Sequence, residues 1–320
     1  MNRFSIVCGL IIAASLVPAR AIAATFSQIV VYGDSLSDVG RLSTALGGTF
    51  PPSPPYDGGR SSNGPLWVEY LATSLGIPNN PSTNFAVGGA KTDSHPQDSF
   101  PGLIGIKQQI AGNSIQDDPN ALYIIWGGAN DYLSATPANP ATTIGNLTSQ
   151  IGTLIARDDA KNILVVNLPD LGQLPSTRNP PSLSAQLDAL TAVHNTGLAD
   201  SINTLSQSNP SVKLSLLDVN SLYSKVAANP SSYGLTKVTD QCFGSASCTN
   251  PSTYLFWDEI HPTTAGHKLI SDLAFQTVSP TAVPEPITML GSLAAVSSAI
   301  AFKRKLKSSS LKAKELVKNI

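Results

Sequence analysis

An α/β fold built on a five-stranded parallel sheet is what this 320-residue sequence predicts, and three features of its pattern predict it. Five apolar runs, each bounded by Gly, Pro, Asn or Asp, recur at 28–32, 83–87, 122–126, 162–168 and 213–219. Continuous rather than alternating hydrophobicity marks strands buried on both faces. Stretches with helical spacing at 66–75, 142–156, 183–205 and 263–278 lie between these runs or after the last. Strand and helix therefore largely alternate, which calls for right-handed crossovers, helices on both sheet faces and function gathered at the carboxyl ends of the strands. With 42% hydrophobic and 13% charged residues, the chain has apolar material for one substantial core and does not read as wholesale disorder.

Taken in order, the chain opens with Arg3, an apolar stretch from Ile6 to Val17 and the small-residue site Ala21-Ile22-Ala23. Those three parts make residues 1–23 a secretory signal, and the mature chain is expected to begin near Ala24. The first strand ends abruptly in Gly33-Asp34-Ser35-Leu36. A hydroxyl at such a turn, expected at a helix N-terminus, suits a nucleophile, although Ser35 taken singly reads equally as a helix cap. Asp34 reads as a brace for the turn. Residues 50–64, rich in Pro, Gly and Ser, read as a long loop that shapes a pocket near Ser35.

The second run leads into Gly88-Gly89-Ala90, and the third into Gly127-Gly128-Ala129-Asn130-Asp131. Acyl transfer needs donors aimed at the oxygen that becomes anionic, and the Gly88 amide and the Asn130 side chain are candidates at those strand ends. Each is ordinary turn chemistry when viewed alone. The coincidence of three strand ends favours a site. Late in the chain, Asp258-Glu259-Ile260-His261-Pro262 supplies an imidazole to take the serine proton and a carboxylate to orient that imidazole. Pro262 is expected to start the last helix. His95, His194 and His267 fit no comparable motif and read as surface or structural residues.

Four blocks, Gly33-Asp34-Ser35-Leu36, Gly88, Gly128-x-Asn130-Asp131 and Asp258-x-x-His261-Pro262, resemble those of the GDSL, or SGNH, family of esterases and lipases, in the family's order. The stretches Arg60 to Trp67 and Tyr254 to Trp257 resemble its lipase and phospholipase branch. The resemblance implies a flavodoxin-like three-layer α/β/α sandwich over 24–280. It also implies Ser35 as nucleophile, His261 as base, Asp258 as its orienter, and an oxyanion hole formed by the Ser35 and Gly88 amides with the Asn130 side chain. The expected activity is hydrolysis of carboxylic esters, with no metal or organic cofactor. Transfer of the acyl group to a sugar or lipid alcohol, deacetylation of extracellular polysaccharide, and a silent surface-binding module are the alternatives.

The far end carries Val283-Pro284-Glu285-Pro286, an uncharged segment at 287–302, then Lys303-Arg304-Lys305 and further lysines. That segment reads as membrane-directed, with its basic flank cytoplasmic. The whole end, 281–320, resembles the PEP-CTERM sorting signal that an exosortase handles in exported bacterial proteins, with a tail beyond Lys305 longer than such signals carry. Between Ala24 and Pro284 there are 19 acidic and 11 basic residues, so the body carries about −8 and disfavours nucleic acid as a partner. Cys8 falls in the signal. Cys242 and Cys248, an even pair close in sequence and destined for an oxidising compartment, are expected to form a local disulfide.

Overall fold

The four main strands, β1 (Ile29–Gly33), β2 (Leu122–Trp126), β3 (Asn162–Val166) and β4 (Lys213–Leu217), form one parallel sheet in the order β1-β2-β3-β4. This computed structural model describes residues 26–93, 103–113, 115 and 118–279. The secretory signal expected at 1–23 and the sorting signal expected at 281–320 lie outside the described residues, as does His95. Among the described residues no helix is long and apolar enough to cross a membrane.

Side chains alternate across the sheet, and each face has its own helices. Val31, Ile124, Trp126 and Leu164 pack with α2 (Trp67–Leu75), α7 (Val219–Ala228) and α8 (Thr264–Val278). On the other face Val30, Tyr32, Tyr123, Ile125 and Val165 pack with α3 (Ile106–Gly112), α5 (Pro140–Arg157) and α6 (Pro181–Ser208). The result is a three-layer α/β/α sandwich, and every residue of β1 and β2 is buried. Such burial removes both strands from water entirely, hence their unbroken apolar sequence.

The run at 83–87 departs from expectation. It lies beside β1 and makes the bonds Phe85 N–H to Val31 O at 2.7 Å and Val87 N–H to Gly33 O at 3.1 Å, yet it contributes only the isolated bridge Val31–Asn84. The main sheet therefore has four strands. Asn84 is the physical reason: its Oδ1 accepts from the Ala86 N–H at 3.1 Å and its Nδ2 donates to Ser37 O at 2.8 Å, so the side chain competes with regular ladder bonding. The segment nevertheless flanks β1 opposite β2, and the chain reverses its direction of travel across the sheet at the end of β1. Open α/β sheets bind ligands at such a switch point.

Elements unforeseen from sequence complete the body. α1 (Arg41–Ala45) and α4 (Ala129–Tyr132) are short, and β5 (Lys237–Gln241) pairs with β6 (Tyr254–Phe256) in a separate parallel sheet. The run at 213–219 does not stay strand to its end, because Asp218 accepts from the Ser221 N–H and caps α7. Pro262 does not begin the last helix. Thr263 is the cap, its hydroxyl accepting from the Gly266 N–H at 3.1 Å, and α8 starts one residue later.

Candidate active site

Ser35 leaves the end of β1 on a turn that several buried groups hold in place. Gly33 is required there by close approach, since a Cβ would meet Trp126 O at 2.8 Å. The buried side chain of Gln109 on α3 exchanges two bonds with the Gly33 backbone, at 2.9 and 2.8 Å. Residues 34–38 then form one hydrogen-bonded turn, with the Ser37 and Asp38 N–H groups both donating to Asp34 O at 3.0 Å. The expected helix does not follow directly. Gly40 sits at φ 122°, and the buried Asp38 carboxylate accepts from the N–H groups of Gly40, Arg41 and Leu42 at 2.8, 2.6 and 3.0 Å, so that Asp38 rather than Ser35 holds the start of α1.

Chain segments 226 residues apart meet above this turn. Ser35 Oγ lies 2.8 Å from His261 Nε2, and His261 Nδ1 lies 2.8 Å from Asp258 Oδ2 and 3.0 Å from Oδ1. Asp258 Oδ1 also accepts from the Ile260 and His261 N–H groups at 2.9 and 2.8 Å, which ties carboxylate and imidazole into one tight loop. The loop is anchored outside as well: the Trp257 N–H donates to His261 O at 2.7 Å, and the buried Ser62 hydroxyl donates to Pro262 O at 2.9 Å.

The charges suit proton transfer. Burial pushes the Asp258 carboxyl up, but the hydrogen bond and charge of His261 and the two backbone donors outweigh it and hold the group below the usual carboxylate range. An ionised Asp258 makes Nδ1 the donor of its pair. Nε2 is thereby left to accept from the Ser35 hydroxyl. Asp34 differs: burial, helped by Asp131, pushes its carboxyl up to about 6 despite the Leu36 N–H and the charge of His261.

The three expected oxyanion donors fare differently. The Ser35 N–H makes no hydrogen bond with the described residues. Asn130, on α4, directs Nδ2 to Ala90 O at 3.0 Å with Asp34 Oδ2 at 3.5 Å, and lines the cleft beside Ser35. Gly88 is placed otherwise than the sequence suggested: its N–H donates to Asp38 Oδ2 at 2.8 Å, so the amide faces a carboxylate. The next residue, Gly89, lines the same cleft and its N–H has no hydrogen-bond partner among the described residues.

A cavity of about 500 Å³ opens from this centre, walled by Leu42, Leu46, Phe50, Pro51, Tyr56 and Leu103. Phe50, Pro51 and Tyr56 come from the loop at 50–64. A second cleft shares Ser35, Asn130 and His261 but is narrowed by Trp126, Leu133, Leu171 and Tyr223 to about 30 Å³, room for little more than a water molecule. Tyr56 also donates its hydroxyl to Asp258 Oδ2 at 2.8 Å, a contact the sequence did not suggest. Cys242 and Cys248 are joined in a disulfide with Cα atoms 5.1 Å apart, next to Tyr254 and Trp257. His194 and His267 are buried structural residues; burial lowers the first to about 4 and, with the charge of His261, the second to about 3. Among the described residues no three His, Cys, Asp or Glu side chains gather in a way that could hold a metal ion.

Comparison with known proteins gives consistent results. The family described as GDSL-like lipase/acylhydrolase matches residues 29–274. A phosphatidylcholine-sterol acyltransferase of Aeromonas hydrophila is 30% identical over 84% of this chain and 95% of its own length. Esterase EstA of Pseudomonas aeruginosa is 29% identical over 86% of this chain, and the match spans about half of EstA, 50%. Among solved structures, the acetylxylan esterase Axe2 of Geobacillus stearothermophilus superposes with a TM-score of 0.45 at 15% identity, covering 82% of this chain and 99% of that one.

Proposed function

The chain belongs to the GDSL-like lipase/acylhydrolase family and is a hydrolase acting on ester bonds, and from that premise we propose that it cleaves esters of apolar acyl chains through an acyl-enzyme on Ser35. The observation that carries this reading is the unbroken run of contacts from Ser35 through His261 to Asp258. His261 Nε2 takes the hydroxyl proton as Ser35 Oγ bonds to the acyl carbon. The same proton passes to the departing alcohol as the ester C–O bond breaks. Water then enters, gives a proton to His261, bonds to the acyl carbon and releases the acid with Ser35 restored. In this reading the Ser35 and Gly89 amides and the Asn130 side chain stabilise the oxyanion, with Gly89 taking the part expected of Gly88.

The apolar cavity of about 500 Å³ supports an apolar acyl chain over an acetyl group. Acyl transfer to an alcohol is the second reading, favoured by the similarity to an enzyme named phosphatidylcholine-sterol acyltransferase. Measuring how product divides between free acid and new ester when an alcohol is added separates the two. Residues 1–23, the disulfide of Cys242 with Cys248 and the hydrophobic and basic end at 281–320 support export, membrane attachment and exosortase-type processing. Sequencing the mature termini tests that part.

The assignment of Ser35 is tested by Ser35→Ala. Labelling by a fluorophosphonate probe and ester hydrolysis are both expected to vanish while the thermal unfolding transition stays in place. Residual labelling at the wild-type level would remove Ser35 from the mechanism.

A further inference from the structure

The geometry points to Tyr56 as a positioning residue that acts through Asp258, held in place by the aromatic cluster that the Cys242–Cys248 disulfide closes. This rests on the reading of Ser35, His261 and Asp258 just given. Asp258 is fully engaged: Oδ1 accepts from two backbone N–H groups and from His261 Nδ1, while Oδ2 lies 2.8 Å from both Nδ1 and the Tyr56 hydroxyl. Among the described residues the phenol is the one donor to that carboxylate from outside its own loop, arriving from 202 residues away. Burial and then the charge of Asp258 push the Tyr56 hydroxyl well above its ordinary value, so it stays protonated and donates throughout the working pH range.

The ring is aimed by its neighbours. Tyr56 meets Trp257 edge-on at 6.3 Å and Phe243 at 5.7 Å, and those two rings stack on each other at 5.5 Å. Cys242, Tyr254 and Trp257 are buried together, with Tyr56 and Cys248 packed against them. Phe243 follows Cys242 directly, so the disulfide limits where that ring can go. The loop's longer-range ties, Arg60 to Glu69 and Ser62 to Pro262, lie beyond Tyr56, whose own backbone tie, Tyr56 N–H to Pro52 O at 3.1 Å, is local. In this proposal the state of the half-buried Cys242–Cys248 pair is linked to the orientation of a carboxylate at the reacting centre.

The sign of the effect follows from electrostatics. A phenol donating to Oδ2 draws negative charge away from Nδ1–H and presents the positive end of its dipole to the imidazole. Both disfavour the imidazolium. Replacing Tyr56 with Phe removes that opposition, so the acid limb of kcat/KM moves upward. The other titratable groups facing the relay include Asp34 from the turn after β1, His267 from α8, Tyr223 from α7 across the small cleft and Glu259 from the relay's own loop, and the substitution leaves all four in place.

The test measures kcat/KM against pH for a soluble nitrophenyl ester with wild-type protein, Tyr56→Phe and the double variant Cys242→Ser/Cys248→Ser. Tyr56→Phe is expected to lower the plateau roughly tenfold, less than the ~100-fold cost of a misplaced reacting group, and to shift the acid limb upward by about half a pH unit. The double cysteine variant should move both in the same direction, and adding Tyr56→Phe to it should then cost less than in the wild-type background. An unmoved acid limb in Tyr56→Phe overturns the proposal whatever happens to the plateau. Additive effects of the two changes overturn the part played by the disulfide. Should Tyr56→Phe misfold, the double cysteine variant still supplies the limb. Fluorophosphonate labelling of Ser35 separates the two levels: labelling intact with an unmoved limb removes Tyr56 alone, whereas labelling that survives Ser35→Ala removes the underlying reading.

Discussion

Asp34 stands next to Ser35, the proposed nucleophile, only 2% exposed, where an anion is costly. Its folded-state value of about 6 lies above the 3.8 of the open chain. At pH below the lower value both folded and unfolded forms hold the proton and nothing is lost. As pH rises through the window from 3.8 to about 6, the unfolded chain releases its proton while the folded one keeps it, so stability falls, by roughly 3 kcal/mol once both are ionised. Asp34→Asn keeps an oxygen for the Leu36 N–H and removes the charge. Urea unfolding at pH 4, 5.5 and 7.5 should show the variant gaining on wild type at each step upward, and a gap that does not change with pH would sink this account. That Ser35, His261 and Asp258 would meet was legible because few side chains suit the proposed chemistry: a hydroxyl, an imidazole and a carboxylate in such loops narrow the choice to these three. Their supports were not. Asp38 reaches Gly88 across 50 residues, Gln109 reaches Gly33 across 76 and Tyr56 reaches Asp258 across 202, and no local pattern encodes such pairs. The direction of the Gly88 amide was not legible for a related reason, since it is set by backbone torsions that a pair of adjacent glycines leaves open.

At the scale of elements, the loop between α1 and α2 is tied to α2 by the ion pair of Arg60 with Glu69. Arg60 Nε and Nη2 each lie 2.8 Å from a Glu69 oxygen, and Glu69 Oε2 also accepts from the Leu66 N–H at 2.8 Å. Burial pushes the Glu69 carboxyl up, yet Arg60 and the Leu66 N–H outweigh it and hold the group below its ordinary value. Its stabilisation is therefore present at neutral pH and is lost as pH falls through the carboxylate range. Glu69 is 8% exposed, so Arg60→Ala leaves a nearly buried carboxylate without its cation and is expected to cost about 3 kcal/mol at pH 7, less at pH 4. Chemical unfolding at both pH values checks this, and equal losses at the two would argue against it. The loop held by this pair also carries Tyr56 and Ser62, so the variant should lose activity below its unfolding temperature. Elements whose burial marks the sequence were readable in advance: β1, β2 and β3 as unbroken apolar runs, and α5, α6 and α8 by helical spacing over many residues. Elements without such a mark were not. β5, Lys237–Gln241, has no fully buried residue, and Asp218 inside an apolar run concealed the start of α7.

The whole molecule directs two different spaces at one hydroxyl. The about 500 Å³ cavity is walled by Leu42, Leu46, Phe50 and Pro51, whereas the cleft that ends at Trp126 and Leu171 has about 30 Å³. Only the larger space accepts a chain of several methylenes, and it draws its walls from α1 and the loop at 50–64, outside the sheet and its covering helices. Each methylene that leaves water for such a wall contributes about 0.8 kcal/mol, a factor of roughly four in kcat/KM when the contact is kept in the transition state. A series of nitrophenyl esters from acetate upward, with the leaving group held constant, should therefore climb by about that factor per methylene until the chain outgrows the cavity. Leu46→Trp narrows the space and should depress the long esters far more than the acetate. A companion series, with acetate held constant and the alcohol lengthened, should stay comparatively flat. If the alcohol series climbs and the acyl series does not, the chain sits on the leaving-group side and the two spaces exchange roles. If acetate is the best substrate of all, the large cavity serves something other than the reacting ester, and the preference for apolar acyl chains is wrong.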